Sequence, residues 1–233
     1  VIRLDSQLIK NYLNLKNEIS EISEKYSRNP NEIKLIAVSK TFPSSDIFEC
    51  FEKGQRDFGE NWAQELREKS SELNLEGLMW HFIGSIQTNK LKYIVPCSYM
   101  IHSVCRVQEI LEIDKRAFSL GKIQNILIEV NVSGEESKSG ISLNEAYSFI
   151  EHALKYPNIK VCGLMTMAPN TSETECISSV FSSLRKLRDN LSLKYPDIKE
   201  LSMGMSSDYS LAIENGSTML RIGSKIFGSR IYT

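Results

Sequence analysis

Lys40 stands at the end of the apolar run Leu35-Ile36-Ala37-Val38-Ser39, where a side chain leaves a buried strand at its rim. Desolvation there favours the neutral amine of a lysine over its ammonium. A neutral amine attacks an aldehyde to give an imine. A solvated lysine that merely ends a strand is the commoner case, so position alone leaves both readings open. The second stretch is Met219-Leu220-Arg221-Ile222-Gly223-Ser224-Lys225-Ile226-Phe227-Gly228. Its Gly223 allows close approach of the backbone to a ligand. The Ser224 hydroxyl and the N–H groups of a following helical segment suit a phosphate, although Gly-Ser turns also occur without ligands. Ser206 and Ser207 would add hydroxyl donors, or Ser207 caps a helix that begins at Asp208. Arg221 lies within an apolar strand and its charge needs a partner. That partner is either a carboxylate in a structural ion pair or the ring nitrogen of a ligand.

Three further stretches carry polar residues beside apolar runs. In Phe58-Gly59-Glu60-Asn61-Trp62, Asn61 either hydrogen-bonds a ligand or caps the next helix. In Trp80-His81-Phe82-Ile83-Gly84, His81 reads as a satisfied core histidine rather than a catalyst. The small polar residues of 131–140 read as a mobile loop over a site or as an ordinary surface loop. Met165 and Met167 read as packing residues.

These residues need elements to position them. Residues 4–26 read as an amphipathic helix, with Leu8, Leu15, Ile19 and Ile22 on one face. Short apolar runs at 34–38, 55–58, 80–83, 100–101, 125–130, 160–162, 200–201 and 219–222 then alternate with helical patterns at 45–53, 62–71, 106–120, 143–156, 174–193 and 208–215. The runs at 100–101 and 200–201 are the weakest strands. About eight βα units in about two hundred residues point to a parallel sheet closed as a (β/α)8 TIM-type barrel. An open doubly wound sheet would need a glycine-rich turn after its first strand, and Ser39-Lys40-Thr41-Phe42 is not one. Lys40, Asn61, Asn131, Thr166, Ser206, Ser207 and Ser224 all follow strands, so closure brings them to one mouth. No Pro-, Gly- or Ser-rich linker divides the chain. Residues 1–233 are expected to form one domain, with a helix in 1–28 packed on the barrel.

Composition excludes several classes. The 233 residues are 41% hydrophobic and 24% charged, with a net charge of -1. That pattern suits neither a disordered nor a membrane protein and gives no global footprint for nucleic acid. Five cysteines in no CxxC spacing argue against a disulfide framework or a zinc site. Val1-Ile2-Arg3-Leu4-Asp5 is not read as a signal peptide, so the cytoplasm is the expected compartment.

The stretches IAVSKTF (36–42), FGEN (58–61), WHFIGSIQTNK (80–90), VNVSGEESKSG (130–140), GLMTM (163–167), LSMGMSSD (201–208) and STMLRIGSKIFG (217–228) together resemble the pyridoxal phosphate homeostasis protein family. The fold of that family is similar to the N-terminal barrel domain of alanine racemase, a fold type III pyridoxal-phosphate protein. The resemblance covers nearly the whole chain. It implies pyridoxal 5′-phosphate (PLP) as cofactor, held as an internal aldimine (Schiff base) on Lys40. It further implies phosphate contacts from Ser206, Gly223 and Ser224, a ring-side contact from Asn61, and Arg221 against the pyridine nitrogen. A guanidinium there disfavours protonation of that nitrogen, which makes the ring a poorer electron sink. Ser224 stands where the family usually has threonine, and the hydroxyl survives. Ser85 and Thr88 stand where many relatives carry basic residues.

Alanine racemase adds a β-domain and a tyrosine from a partner subunit, which these residues do not supply. The resemblance therefore implies a cofactor carrier in homeostasis of vitamin B6 and of amino and keto acids, without robust catalysis. Possible recipients are PLP-dependent apoenzymes, and a monomer is expected, because such barrels complete the site alone. The alternatives are a weak PLP-dependent amino-acid racemase and a barrel that binds another phosphorylated metabolite without covalent attachment.

Overall fold

The computed structural model describes residues 6–228. Helix α1 (Gln7–Lys25) opens the chain. The Ser6 hydroxyl caps it by accepting from the Ile9 N–H, which satisfies one of the donors a helix start leaves unpaired. Its buried stripe is Ile9, Tyr12, Leu15 and Ile19, and it packs on α2 (Ser44–Glu52), α8 (Tyr209–Glu214) and α9 (Ser224–Phe227). Leu8 and Ile22 sit half-buried at the edge of that stripe.

The strands are β1 (Lys34–Val38), β2 (Asp57–Glu60), β3 (Met79–Phe82), β4 (Met100–Val104), β5 (Gln124–Asn131), β6 (Ile141–Ser142), β7 (Ile159–Met165), β8 (Glu200–Ser202) and β9 (Met219–Ile222). Every pairing is parallel. β1 pairs with both β2 and β9, and β4 pairs with β5. Eight strands therefore close into a ring, and β6 lies outside it, paired to the end of β5. The closed barrel, not the open sheet, is the architecture. The remaining helices are α3 (Ala63–Glu72), α4 (Leu91–Cys97), α5 (Val107–Ser119), α6 (Ala146–Ala153) and α7 (Thr174–Lys194).

Alternation along each strand sorts side chains between two cores. Outward residues such as Ala37, Phe58, Ile128 and Leu220 join the large core beneath the helices. Inward residues Ile36, Met100, Leu127, Cys162, Met165 and Met219 form a small second cluster inside the barrel. The two weak strands both extend beyond their apolar letters, β4 to Val104 and β8 to Ser202. Their added inward residues are polar, and neighbours inside the barrel satisfy them. The all-apolar expectation for a buried strand missed them for that reason. Helix α4 escaped the sequence pattern because it is only seven residues long and carries Pro96 in its last turn.

Candidate functional site

At the mouth where the strands end lies a cavity of about 380 Å³. Lys40 enters it from the end of β1, Asn61 from β2, Ser206 and Ser207 from β8, and Arg221, Gly223 and Ser224 from β9 and its sequel. Val38, Ile83, Met167 and Met205 supply apolar walls. All six residues that the resemblance assigned to a cofactor thus share one cavity. Met167 and Met205 were not foreseen there. Their letters fit core packing equally well, and only the loop geometry turns them inward.

The chain around Lys40 is clamped from the outer face of the barrel wall. Ser39 Oγ donates to Glu60 Oε1 at 2.7 Å. Lys69 Nζ, on α3, donates to the Ser39 carbonyl at 2.8 Å, to Glu60 at 2.8 Å and to Glu65 at 2.7 Å. Glu65 Oε1 in turn accepts from the Thr41 N–H at 2.6 Å. The backbone is thus gripped on both sides of Lys40. Thr41 is held at φ 72°, a left-handed conformation that a β-branched residue rarely adopts. Burial raises the Glu60 carboxyl to about 7 against the opposing pull of Lys69. Its Oε2 is buried without a partner among the described residues. The Glu65–Lys69 spacing of four on a helix was the one sequence signal for this cluster.

Arg221 is buried, with 6% of its surface exposed. Its Nη1 donates to the Ser202 carbonyl and to Ser202 Oγ, each at 2.7 Å, and its Nη2 to the Thr166 carbonyl at 3.0 Å. Among the described residues it forms no ion pair, so the structural pairing with a carboxylate is not its partner. Burial lowers its pKa to about 10, while Glu129 and Asp208 work in the opposite direction. Glu129, also inward on β5, is pushed up to about 7 by burial, and Arg221 offsets part of that.

Two glycines set the approach of the walls. A Cβ at Gly84 would lie 2.0 Å from the Asn61 carbonyl oxygen, so a glycine there lets the β2 end carry Asn61 to the mouth. A Cβ at Gly223 would lie 2.9 Å from the Val38 carbonyl oxygen, so β9 can hug β1 beside Lys40. Asn61 does not cap α3, whose cap position is Trp62. Likewise Asp208, not Ser207, precedes α8, and its carboxylate accepts from the Met205 N–H at 2.6 Å. The segment 131–140 folds on Asn131, whose Nδ2 donates to the Glu135 and Lys138 carbonyls and whose Oδ1 accepts from the Gly134 N–H.

A strand-end lysine, a buried arginine and a serine-glycine-serine wall at the mouth of a parallel barrel define the alanine-racemase-type barrel class. Residues 11–231 match the family model described as alanine racemase, N-terminal domain. The chain is 43% identical over 215 residues to the pyridoxal phosphate homeostasis protein of Aquifex aeolicus, covering 92% of this chain and 94% of the relative. It is 38% identical to that of Escherichia coli, covering 98% and 99%. The solved structure of PipY from Synechococcus elongatus with PLP bound superposes with a TM-score of 0.80 at 33% identity, covering 90% of this chain and all of PipY (100%). Alanine racemase of Clostridium difficile, at 17% identity and a TM-score of 0.72, shares the fold. The chain belongs to the pyridoxal phosphate homeostasis protein family.

Proposed function

We propose that this protein binds PLP reversibly in the mouth cavity and serves the intracellular homeostasis of vitamin B6 and of amino and keto acids. The cavity residues fit the group chemically. Lys40 offers an amine for an aldehyde, and Ser206, Gly223 and Ser224 offer donors and close backbone for a phosphate. Asn61 and Arg221 offer polar contacts to ring substituents, between the apolar walls of Val38, Ile83, Met167 and Met205. About 380 Å³ lies within the usual span of small-molecule sites. When bound, the cofactor would supply an aldehyde, and Lys40 would be the residue whose amine holds it.

The observation that favours a carrier over a racemase is the cavity lining itself. Apart from Lys40 and Arg221, its described residues are apolar, amide, hydroxyl or glycine. A two-base racemase needs a second group that exchanges protons near neutral pH, and among the described residues no Tyr, His, Cys, Asp or Glu lines this cavity. The role proposed for Arg221 is to keep the pyridine nitrogen unprotonated. The protein is proposed to work in the cytosol as a single-domain monomer, with PLP-dependent apoenzymes as recipients. Among the described residues no helix is long and apolar enough to cross a membrane, and all five thiols are unbridged.

The test is an absorbance titration with PLP before and after borohydride, followed by peptide mass mapping. A visible band that borohydride removes, with the reduced adduct on Lys40, is expected. Lys40→Ala should lose band and adduct while keeping the wild-type melting curve. Absence of any band in the wild type would overturn the cofactor assignment. Solvent deuterium entering Cα of an added amino acid at a turnover rate would replace the carrier reading with the racemase.

A further inference from the structure

Beneath Arg221 a string of polar side chains runs down the inside of the barrel. Ser202 Oγ, which accepts from Arg221, lies 2.9 Å from His102 Nδ1. His102 Nε2 lies 2.8 Å from His81 Nδ1, and His81 Nε2 lies 2.9 Å from Asp57 Oδ1. Both imidazoles are fully buried at 0% exposure. The string starts at the first residue of β2, where Asp57 also lies 3.7 Å from Lys34 Nζ, and ends in the mouth cavity.

Hydrogen-bond bookkeeping gives this string a single direction. A carboxylate only accepts, so His81 donates to Asp57 through Nε2–H. A neutral imidazole has one N–H, so His81 Nδ1 accepts, and His102 supplies the proton from its own Nε2. His102 Nδ1 then accepts, and Ser202 supplies its hydroxyl proton. The serine oxygen is left to accept from Arg221 Nη1. Every link holds one proton, and every buried donor has an acceptor. A charged His81 would force both ring protons of the pair the other way. Ser202 Oγ would then receive N–H from His102 and Arg221 together, and its own proton would lose its acceptor on the string. Burial lowers the pKa of both histidines, which favours the neutral rings.

We infer that Asp57, His81, His102 and Ser202 form a one-way hydrogen-bond relay of positioning residues that fixes the guanidinium plane of Arg221 from the opposite end of the barrel. With Nη1 committed to Ser202 and one Nη2 proton to Thr166, the Nε–H and the second Nη2–H are the donors left for a ligand. The role toward the cofactor ring rests on the function proposed above. The relay itself does not.

Side-chain ¹⁵N NMR of the ligand-free protein tests the relay first. Both rings should be neutral Nε2–H tautomers between about pH 6 and 8, and the Arg221 Nη signals should be separate, reporting blocked rotation. A charged ring or an Nδ1–H tautomer at His81 or His102 in the wild type would overturn the relay. Ser202→Ala removes one of the two Nη1 bonds and should shift the Arg221 Nη signals toward each other. It should also weaken PLP binding about tenfold, the effect of losing one hydrogen bond to a charged group, and shift the absorbance band. Asp57→Leu should disturb the His81 and His102 tautomers and the band from the far end of the barrel. Asp57→Asn, whose carbonyl still accepts from His81, should restore both. If Ser202→Ala binds PLP with wild-type affinity and spectrum, the positioning role is wrong. If the wild type takes up no PLP, the cofactor reading fails, and the tautomers and Arg221 rotation still decide the relay.

Discussion

On the outer face of the barrel wall, Glu60, Glu65 and Lys69 grip the chain on either side of Lys40. Inside the barrel, Ser202 and Thr166 grip the guanidinium of Arg221. The first support is ionic and its bonds end on the backbone of Ser39 and Thr41. The second is a string that begins at the Asp57 carboxylate, passes through two buried imidazoles and a hydroxyl, and ends on the charged side chain. The contrast follows from what each cavity residue must do. In the proposed role, the Lys40 amine would change its charge as it forms and releases a covalent bond, so its support fixes where the chain leaves the strand. A cation that keeps its proton can be gripped directly, provided the gripping groups are fully satisfied.

The largest test breaks the ionic support. Lys69→Met leaves Glu60 buried without its cation, and removal of one partner of a buried pair costs about 3 kcal/mol. Urea unfolding should show that loss at neutral pH, and adding Glu60→Gln should recover at least half of it. Equal losses in the single and double variants would mean that the clamp is held by packing rather than charge.

A mid-sized effect sharpens the comparison on the Arg221 side. Folding raises Glu129 from an ordinary 4.5 to about 7. The folded state therefore keeps a proton that the unfolded chain releases. That contribution to stability is fully present below 4.5 and is lost as pH rises through about 7. Glu129→Gln should flatten this fall, and the gain over wild type should grow by about 2 kcal/mol between pH 5 and 8. A pH profile parallel to that of wild type would show that the buried carboxyl is better solvated than its surroundings imply.

The smallest effect is Thr41→Gly. It relieves the left-handed backbone, about 1–2 kcal/mol, but adds chain entropy to the unfolded state, about 0.5–1 kcal/mol. A net gain of about 0.5 kcal/mol in chemical denaturation is expected. A clear loss would mean that the threonine side chain itself contributes to the clamp.

Much of the fold was legible in the letters. The runs at 34–38 and 219–222 match β1 and β9 residue for residue, because buried parallel strands are continuous apolar runs. Lys40, Asn61, Ser206, Gly223 and Ser224 were legible as strand-end residues and Arg221 as a charge within the last apolar run, and barrel closure then places them at one mouth. The supports were not legible. Glu60 sits in the same short motif as Asn61, but its partner Lys69 reads as an ordinary surface residue of α3. His81 was legible as a satisfied core histidine, but not as a link between Asp57 and His102.

The sequence by itself determined the order of elements, the strand-end placement of the cavity residues and the family. Those depend on local periodicity and on motifs a few residues long. Only the tertiary structure decided which side chains meet inside the barrel. His102 and Ser202 are 100 residues apart in the chain, and they face each other because ring closure turns the inward residues of distant strands onto one axis. No local pattern encodes that meeting, because an inward polar residue has the same period as an inward apolar one.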